Sequence, residues 1–290
     1  ILILGGNGFI GSAVLKRLSE LGHEVTGLGR NLDAAERRFA GIRFVRADLA
    51  EMSTPEGWAA LIGRHEVIVN CAGALQDGLR DDLAAVQQRA MLALIAAAET
   101  AGNRLIVQIS ARTDGAARDL PFLATKRQAD EALKSSGVDH VILRPGLVVG
   151  RNAHGGTALI RALASFPFAI PAVHGKSAVA AVALDDVVEA AVRAIDGWLS
   201  PGSDVELAHP EHLTLDAVLE KHRTWLGLKP APVLSMPAWL AAPATALADA
   251  AGRLGWRSPM RSTAMAGMAG GGVRSDAAST TPFELCSLDR

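Results

Sequence analysis

The chain has 290 residues, of which 49% are hydrophobic, and a formal net charge of −1. A chain this long and apolar can bury a large core, and a near-zero charge without a basic patch gives no electrostatic reason to bind nucleic acid or an anionic membrane. No uninterrupted apolar run reaches the ~18 residues that a membrane-spanning helix needs.

The cysteines and the amino terminus bear on the compartment. Cys71 and Cys286 lie far apart without disulfide or metal spacing, which suits a reducing environment. The chain begins directly on an apolar segment that reads as a core strand. We therefore expect a cytoplasmic protein without a targeting segment.

Residues 1–18 predict a strand, a glycine turn and a helix in direct succession. Gly6 and Gly8 would let the backbone turn tightly and approach phosphates, and Gly11 would let the helix pack close to the strand. The free N–H groups at the start of the helix would face an anion. The pattern predicts a dinucleotide site, with a purely structural turn as the alternative. Its residues are Gly5, Gly6, Asn7, Gly8, Phe9, Ile10 and Gly11.

The second predicted strand, residues 23–29, is followed by Arg30 and Asn31. An acidic residue at this position would bind the adenosine ribose 2′-hydroxyl, whereas an arginine can pair with a 2′-phosphate. The sequence therefore favours NADP(H), although Asp33 and Glu36 keep NAD(H) as an alternative.

Two further strands are predicted at residues 42–45 and 66–70. Asp48 and Leu49 follow the first, where a carboxylate could accept a hydrogen bond from the adenine amino group or could simply cap a loop. Small residues follow the second strand and leave room for the cofactor. These residues are Cys71, Ala72 and Gly73.

Strands and helices continue to alternate. The predicted elements are a helix at 83–101, a strand at 104–110, a helix at 121–135 and a strand at 138–143. Ser110 ends the first of these strands, and Pro145 and Gly146 follow the second. Ligands bind at the carboxyl edge of an open parallel sheet, where these residues lie. The alternation predicts an α/β fold with a doubly wound, Rossmann-type parallel sheet.

The carboxyl-terminal part is less regular. We predict a dinucleotide-binding domain at residues 1–200, with part of a small lobe interleaved. The rest of the small lobe is expected at residues 201–266, followed by a poorly ordered tail at 267–290. Asp185 or Asp186, and Thr214, are predicted helix N-caps.

An apolar stripe marks the last predicted helix. We expect it to pack on the small lobe, with a membrane-surface or partner helix as the alternative. The stripe consists of Trp239, Leu240, Leu247 and Leu254.

In order and spacing, the candidate site residues resemble the extended and atypical branches of the short-chain dehydrogenase/reductase superfamily, which include the NAD-dependent epimerases and dehydratases. The residues that carry the resemblance are GGNGFIG at 5–11, Asp48, residues 70–73, Ser110, Lys126 and the turn Arg144-Pro145-Gly146.

Within the superfamily, the chain looks most like the group of the NADPH-binding accessory subunit of respiratory complex I and its bacterial relatives. LGWRSPM at residues 254–260 is similar to bacterial members that continue into a DoxX-like membrane domain. The resemblance implies a membrane redox partner, or a membrane domain absent from this chain, and a place at the inner face of the membrane.

The resemblance also implies a Ser-Tyr-Lys chemistry, in which serine polarises a carbonyl, tyrosine exchanges a proton and lysine holds the nicotinamide ribose. The tyrosine belongs four residues before Lys126, where this chain has Phe122, and the chain contains no tyrosine. Ser110 and Lys126 would then only position the cofactor, unless they are an ordinary strand-end serine and a solvated lysine. Thr125 and Asp114 could relay a proton through water instead.

Three functions therefore compete. The first is an NAD(P)(H)-binding module with weak or no turnover, acting as a redox sensor or assembly element. The second is an active oxidoreductase or sugar-nucleotide epimerase or dehydratase that uses a substitute acid. The third is an NmrA-like regulatory protein that acts through a partner. No metal site is expected, because a proline separates His209 from His212, and Cys71 is more typical of a small buried residue than of a reactive thiol.

Overall fold

Strands and helices alternate through most of the chain. The computed structural model describes residues 1–73, 77–78, 82–112, 119–152, 156–211, 213–253, 262 and 283–285. The strands are β1 (Leu2–Leu4), β2 (Thr26–Gly29), β3 (Arg43–Arg46), β4 (Val67–Asn70), β5 (Leu105–Ile109), β6 (Asp139–Pro145), β7 (Leu147–Val149), β8 (Ile170–Ala172), β9 (Ala178–Val179), β10 (Ala181–Ala183), β11 (Ser203–Leu207), β12 (Leu213–Thr214) and β13 (Val233–Ser235).

The helices connect these strands. They are α1 (Phe9–Glu20), α2 (Asp33–Arg38), α3 (Pro55–Ile62), α4 (Ala90–Ala101), α5 (Pro121–Ser135), α6 (Gly156–Ala164), α7 (Leu184–Ile195), α8 (Leu215–Trp225) and α9 (Ala238–Arg253). A 3₁₀ turn lies at Leu49–Glu51, and a π-helical turn at Ala84–Arg89 leads into α4.

The central sheet has seven parallel strands in the order β11-β6-β5-β4-β1-β2-β3. The chain adds β2 and β3 on one side of β1 and then returns to add β4, β5, β6 and β11 on the other. The direction of winding thus changes between β1 and β4, where a crevice opens at the carboxyl ends of the strands. The predicted α/β fold with a doubly wound parallel sheet is confirmed.

Helices cover both faces of the sheet, as a parallel sheet requires. Successive strand residues face opposite sides, so Ile3 packs in one apolar cluster with α1 and α7, whereas Leu2 and Leu4 pack in the other with α3, α4 and α5. All three side chains are fully buried. Burial on both faces explains why β1 reads as an uninterrupted apolar run.

One strand lies in a different unit from the one predicted. Residues 203–207 were expected in the small lobe, but β11 pairs with β6 from Ser203 opposite Val141 to Leu207 opposite Pro145. It is therefore the edge strand of the central sheet. The small lobe has its own core, in which Ile160, Ile170 and Leu219 are buried.

One predicted helix cap is confirmed and the other is wrong. Thr214 caps α8 as expected, because its Oγ1 accepts a hydrogen bond from Ala217 N at 3.3 Å. The prediction for Asp185 and Asp186 is wrong, since α7 begins at Leu184 with Ala183 as its cap. Both aspartates lie in the first turn, where negative charge stabilises the helix dipole.

The stripe of α9 does not pack as predicted. Trp239 and Leu247 are 70% and 71% exposed, and Leu240 is 43% exposed. The helix buries the smaller Ala248 instead. Leu254 and residues 255–261 lie outside the described residues, as does most of the expected tail, although Phe283 stacks on the Arg193 guanidinium. Within the described part of the chain, no helix combines the length and hydropathy needed to cross a bilayer.

Candidate functional site

The glycine turn between β1 and α1 is closely packed. Gly5 has a φ of +70°, a conformation that favours glycine, and its carbonyl oxygen accepts a hydrogen bond from Gly8 N at 2.8 Å. A Cβ on Gly11 would lie 2.2 Å from that same oxygen, and a Cβ on Gly6 would lie 2.9 Å from Gly27 Cα. Three of the predicted glycines are thus required by the backbone: Gly5 by its positive φ, Gly11 by a contact inside the turn and Gly6 by a contact with β2.

Gly8 differs from these three. Its φ of −80° and ψ of −179° are ordinary extended values, so its backbone conformation is one that any residue can adopt. Gly8 precedes α1 without a side-chain cap, which leaves the first N–H groups of the helix available to an anion. Asn7 Nδ2 also donates to Asn31 O at 2.7 Å and ties the turn to the end of β2. The turn fits the diphosphate of a dinucleotide.

The residues after β2 and β3 form two ion pairs. Arg30 Nη1 lies 3.7 Å from Asp48 Oδ2, and Arg46 Nη2 lies 2.6 Å from Asp33 Oδ1. Asp48 also accepts a hydrogen bond from Ala50 N at 3.0 Å, which is the loop-cap role. The Arg46 guanidinium lowers the pKa of Asp33 through this hydrogen bond. Asp33, one of the two acidic residues that would favour NAD(H), is therefore paired with an arginine.

The end of β4 adjoins the glycine turn. Cys71 N donates to Leu4 O at 3.0 Å, and a Cβ on Gly5 would lie 3.1 Å from Ala72 N. Burial raises the pKa of the Cys71 thiol to about 12. Although the residue as a whole is only partly buried, the thiol is therefore protonated at neutral pH, unlike that of a reactive cysteine.

Lys126 reaches the same crevice from α5. Its Nζ donates to Ile109 O at 3.0 Å and lies 3.6 Å from the position that a Cβ on Gly73 would occupy. Burial lowers the pKa of Lys126 from its ordinary value, and Asp130 acts against this shift. The structure thus brings the predicted lysine to the carboxyl ends of β4 and β5.

Ser110 has a different partner from the expected one. Its Oγ donates to Asp130 Oδ2 at 2.5 Å, and Arg144 Nη1 lies 2.9 Å from the same oxygen. Ser110 and Asp130 are 4% and 1% exposed. The serine hydroxyl therefore belongs to a buried polar network at the end of β5.

The proton-transfer candidates on α5 are Phe122 and Thr125. Phe122 lies one turn before Lys126, at the position where the resemblance requires a tyrosine. Thr125 Oγ1 donates to Pro121 O at 3.0 Å, within its own helix. Asp114 lies outside the described residues.

Comparison with known proteins identifies the family. A family model described as NAD(P)H-binding matches residues 5–196, which is more than half of the chain. The chain belongs to this NAD(P)H-binding family. The resemblance to a dinucleotide-binding, Rossmann-type protein is confirmed at this level.

One curated relative of this NAD(P)H-binding chain is an uncharacterized protein of Mycobacterium tuberculosis, Rv2047c. It is 27% identical over 216 residues, which cover 74% of this chain and 22% of the relative. The chain therefore spans about a fifth of the length of that protein.

Two solved structures show the shared fold. One is a UDP-glucose 4-epimerase of Thermotoga maritima in complex with UDP-glucose. It is 18% identical with a TM-score of 0.64, and the match covers 81% of this chain and 85% of the epimerase chain. A UDP-glucose 4-epimerase of Thermus thermophilus in complex with NAD has a TM-score of 0.62 and 22% identity, with 91% and 97% covered. At these identities the similarity concerns the fold.

The turn after β6 has a structural role in this NAD(P)H-binding chain. Pro145 pairs with Leu207, and Gly146 N donates to Leu207 O at 3.0 Å. A Cβ on Gly146 would lie 2.1 Å from Ala180 O. The close approach of the backbone at Ala180 therefore accounts for the glycine at position 146. Its contact with a cofactor stays a prediction.

The remaining predicted residues lie at the edges of the site. Leu49 is buried, Phe9 and Ile10 are partly buried at the start of α1, and Phe9 Cζ would lie 3.3 Å from a Cβ on Gly150. His209 Nδ1 accepts a hydrogen bond from Glu211 N at 3.2 Å, and His212 lies outside the described residues. Across the described ranges, no group of three or more histidine, cysteine, aspartate or glutamate residues could hold a metal.

Sequence reasoning missed Gln87 and Asp130. Gln87 is 3% exposed on the π-helical turn, and its Oε1 lies 3.9 Å from the Cβ position of Gly73, beside Lys126. Such turns are frequent at functional sites. The available signals were a glutamine just before the apolar helix α4 and an aspartate spaced four residues from Lys126.

Proposed function

We propose that this protein binds NADP(H) in the crevice between β1 and β4 and has weak or no turnover of the family's usual reductase kind. The observation that carries the proposal is Phe122, one helical turn before Lys126, in a chain that contains no tyrosine. Binding and proton transfer depend on different residues, so one can persist without the other.

The residues that would hold the dinucleotide surround the crevice. The glycine turn at residues 5–11 would receive the diphosphate, Arg30 the adenosine end and Lys126 the ribose of the nicotinamide half. When bound, the nicotinamide ring supplies or accepts hydride. Arg30 after β2 and Arg46 at the end of β3 support NADP(H), because a guanidinium group can pair with a 2′-phosphate.

Phe122 preserves an aromatic ring but cannot donate a proton. The Ser110 hydroxyl donates a hydrogen bond to Asp130, and the Thr125 hydroxyl donates a hydrogen bond to Pro121 O. Neither hydroxyl is therefore directed to a substrate in this arrangement. Loss of a general acid typically costs ~10²–10⁴ in rate.

A biological role consistent with binding alone is that of a redox-state sensor or an assembly and stability element for a quinone-linked or membrane redox system. The similarity of the motifs to the complex I accessory-subunit group supports this role. Co-purification with and without NADPH would test this role. The role predicts that NADPH binding changes the affinity of the protein for a membrane partner.

An active epimerase or dehydratase is the second candidate. The fold shared with two UDP-glucose 4-epimerases favours it. This function would require a substitute acid, for which Asp114 and Thr125 are the candidates from the sequence.

The test combines binding with turnover. Isothermal titration with NADPH and NADH establishes the affinities, and a screen of sugar nucleotides, quinones and small carbonyl compounds follows at saturating cofactor. The proposal expects a stoichiometric NADPH complex and near-background turnover. Absence of binding would contradict the first half of the proposal, and turnover at ~1–10³ s⁻¹ would contradict the second half.

A further inference from the structure

Three consecutive residues at the carboxyl end of β5 are each held by a different charged side chain. Lys126 Nζ donates to Ile109 O at 3.0 Å, and Ser110 Oγ donates to Asp130 at 2.5 Å. Arg144 Nη1 donates to Ala111 O at 3.1 Å. Lys126 and Asp130 lie four residues apart on α5, so their side chains share one helix face and meet adjacent residues of the strand.

Asp130 is the acidic member of this group. It is 1% exposed, its Oδ2 contacts Ser110 and Arg144, and its Oδ1 has no hydrogen-bond partner among the described residues. Burial raises the pKa of Asp130, while Arg144, Ser110 and Lys126 act in the opposite direction. The net shift of this pKa is upward, and the Arg144 guanidinium, 2.9 Å from Oδ2, is the main group that favours the charged form of the carboxylate.

Arg144 does not depend on Asp130 alone. Its Nε lies 2.6 Å from Asp204 Oδ1, and Lys134 also pairs with Asp204. The positive charge of Arg144 is therefore compensated even without Asp130. Lys126 has no such second carboxylate among the groups that act on it.

The groups that act on Lys126 come from three elements. Asp130 on α5 and Cys71 after β4 would raise the pKa of Lys126 when negatively charged, and Arg144 on β6 lowers it. Cys71 is neutral at working pH because burial raises its pKa to about 12. Asp130 is thus the source of the negative charge that opposes desolvation of the ammonium group.

We infer that Asp130 is a positioning residue whose buried carboxylate keeps the Lys126 ammonium group charged and held at the carboxyl end of β5, facing the space over Gly73. A half-buried lysine without a counter-charge would release its proton more readily. The inference deepens the proposed function in one respect only, since Lys126 is the group assigned there to the nicotinamide ribose.

The experiment measures the pKa of Lys126 by NMR, using protein labelled with ¹³C at lysine Cε and Lys126→Arg to assign the resonance. Asp130→Asn preserves the size of the side chain and an oxygen that can accept from Ser110 and Arg144, so it removes mainly the charge. Its matched control is Asp204→Asn, which removes a carboxylate from Arg144 but not from Lys126. We expect the Lys126 pKa to fall by about one to three units in Asp130→Asn and to remain near wild type in Asp204→Asn.

Rescue completes the test. Asp130→Glu restores the charge and should return the Lys126 pKa most of the way to its wild-type value. An unchanged pKa in folded Asp130→Asn, or an equal fall in Asp204→Asn, would overturn the inference. If Asp130→Asn does not fold, the test is made on the wild-type protein. The chemical shift of Lys126 ¹³Cε should then show an inflection at acidic pH, where Asp130 becomes protonated. Absence of that inflection would overturn the inference.

A second readout separates this inference from the proposed function. The NADPH dissociation constant is measured against pH for wild type and Asp130→Asn. The charged lysine exists below its pKa, so affinity should decline as pH rises through that pKa, and the decline should begin at lower pH in the variant. A shifted Lys126 pKa with an unshifted affinity profile would support the inference and contradict the assignment of Lys126 to the ribose.

Discussion

Ser110 Oγ lies 2.5 Å from Asp130 Oδ2 and donates a hydrogen bond to that carboxylate. The serine that the family resemblance assigns to a substrate carbonyl is thus bonded to α5. Together with Phe122 at the tyrosine position, this arrangement leaves the crevice without the tyrosine hydroxyl that the resemblance requires. The predictions below separate cofactor binding from chemistry.

The first prediction concerns cofactor choice. NADPH should bind more tightly than NADH, because Arg30 can make a charge-assisted contact with the 2′-phosphate worth about 1.5–3 kcal/mol. Arg30→Asp should erase or reverse the preference, a change of roughly ten- to a hundredfold in the ratio of dissociation constants. Fluorescence titration of both cofactors measures it.

Arg37 provides the control for this prediction, because it is an exposed arginine in the last turn of α2. Arg37→Asp makes the same charge change at a nearby position and should leave the preference in place. Equal wild-type affinities for NADPH and NADH would argue against the role of Arg30.

The second prediction distinguishes two glycines of the turn. Gly8→Val should abolish dinucleotide binding with the fold retained in part, because the backbone at Gly8 is extended, a Cβ would lie 3.1 Å from Gly5 O, and the new side chain would occupy the phosphate space. Gly11→Val should also destabilise the fold by about 1–3 kcal/mol or more, since its Cβ would lie 2.2 Å from Gly5 O. Thermal unfolding and NADPH titration together measure the two effects.

Gly57 offers a control on the exposed side of α3, where a Cβ would meet nothing within 4 Å. Gly57→Ala should leave NADPH binding unchanged. It should alter the stability of the fold only by the higher helix propensity of alanine. Wild-type NADPH affinity in Gly8→Val would show that the turn is not the diphosphate site.

The third prediction concerns Cys71. With a thiol pKa of about 12, only about 10⁻⁴ of Cys71 is thiolate at pH 8, so alkylation by iodoacetamide should be very slow in the native protein. The rate should rise about tenfold per pH unit below the pKa, as long as the fold persists. Mass spectrometry of the peptide containing Cys71 measures it, with urea-unfolded protein as the reactive reference. Alkylation at the reference rate under native conditions would contradict the burial of the thiol.

The sequence predicts local features well and distant pairings less well. The bounds of α5 follow from Pro121 at its start and from apolar spacing, and both are as predicted. By contrast, β11 was assigned to the wrong unit, because nothing within residues 203–207 indicates that they pair with β6. Local propensity carries no information on which distant strand completes a sheet.

The site shows the same division. The glycine turn could be located from its spacing between a strand and a helix, and Lys126 from the family resemblance. Asp130 could not, since its burial depends on Ser110 and Arg144 from two separate strands. Gln87 was missed because a π-helical turn has no sequence signature comparable to a glycine motif. From the sequence alone, a charged side chain on a helix such as Asp130 is interpreted as part of the solvated surface.

A fourth prediction addresses the lost proton donor. Phe122→Tyr restores a hydroxyl one helical turn before Lys126 and should raise NADPH oxidation in the presence of carbonyl compounds that the crevice admits, by up to ~10²–10⁴-fold. Phe122→Leu has no ionisable group and serves as the matched control with no gain. Both variants should bind NADPH as the wild type does, because the glycine turn is unchanged.

The most direct test of the central claim is the steady-state rate of NADPH oxidation by the wild-type protein at saturating cofactor, across sugar nucleotides, quinones and small carbonyl compounds. The account predicts a rate near the background without protein, alongside a stoichiometric NADPH complex measured on the same preparation. A wild-type rate of ~1–10³ s⁻¹ with any of these compounds would contradict it and would make Asp114 and Thr125 the first residues to mutate in search of the acid.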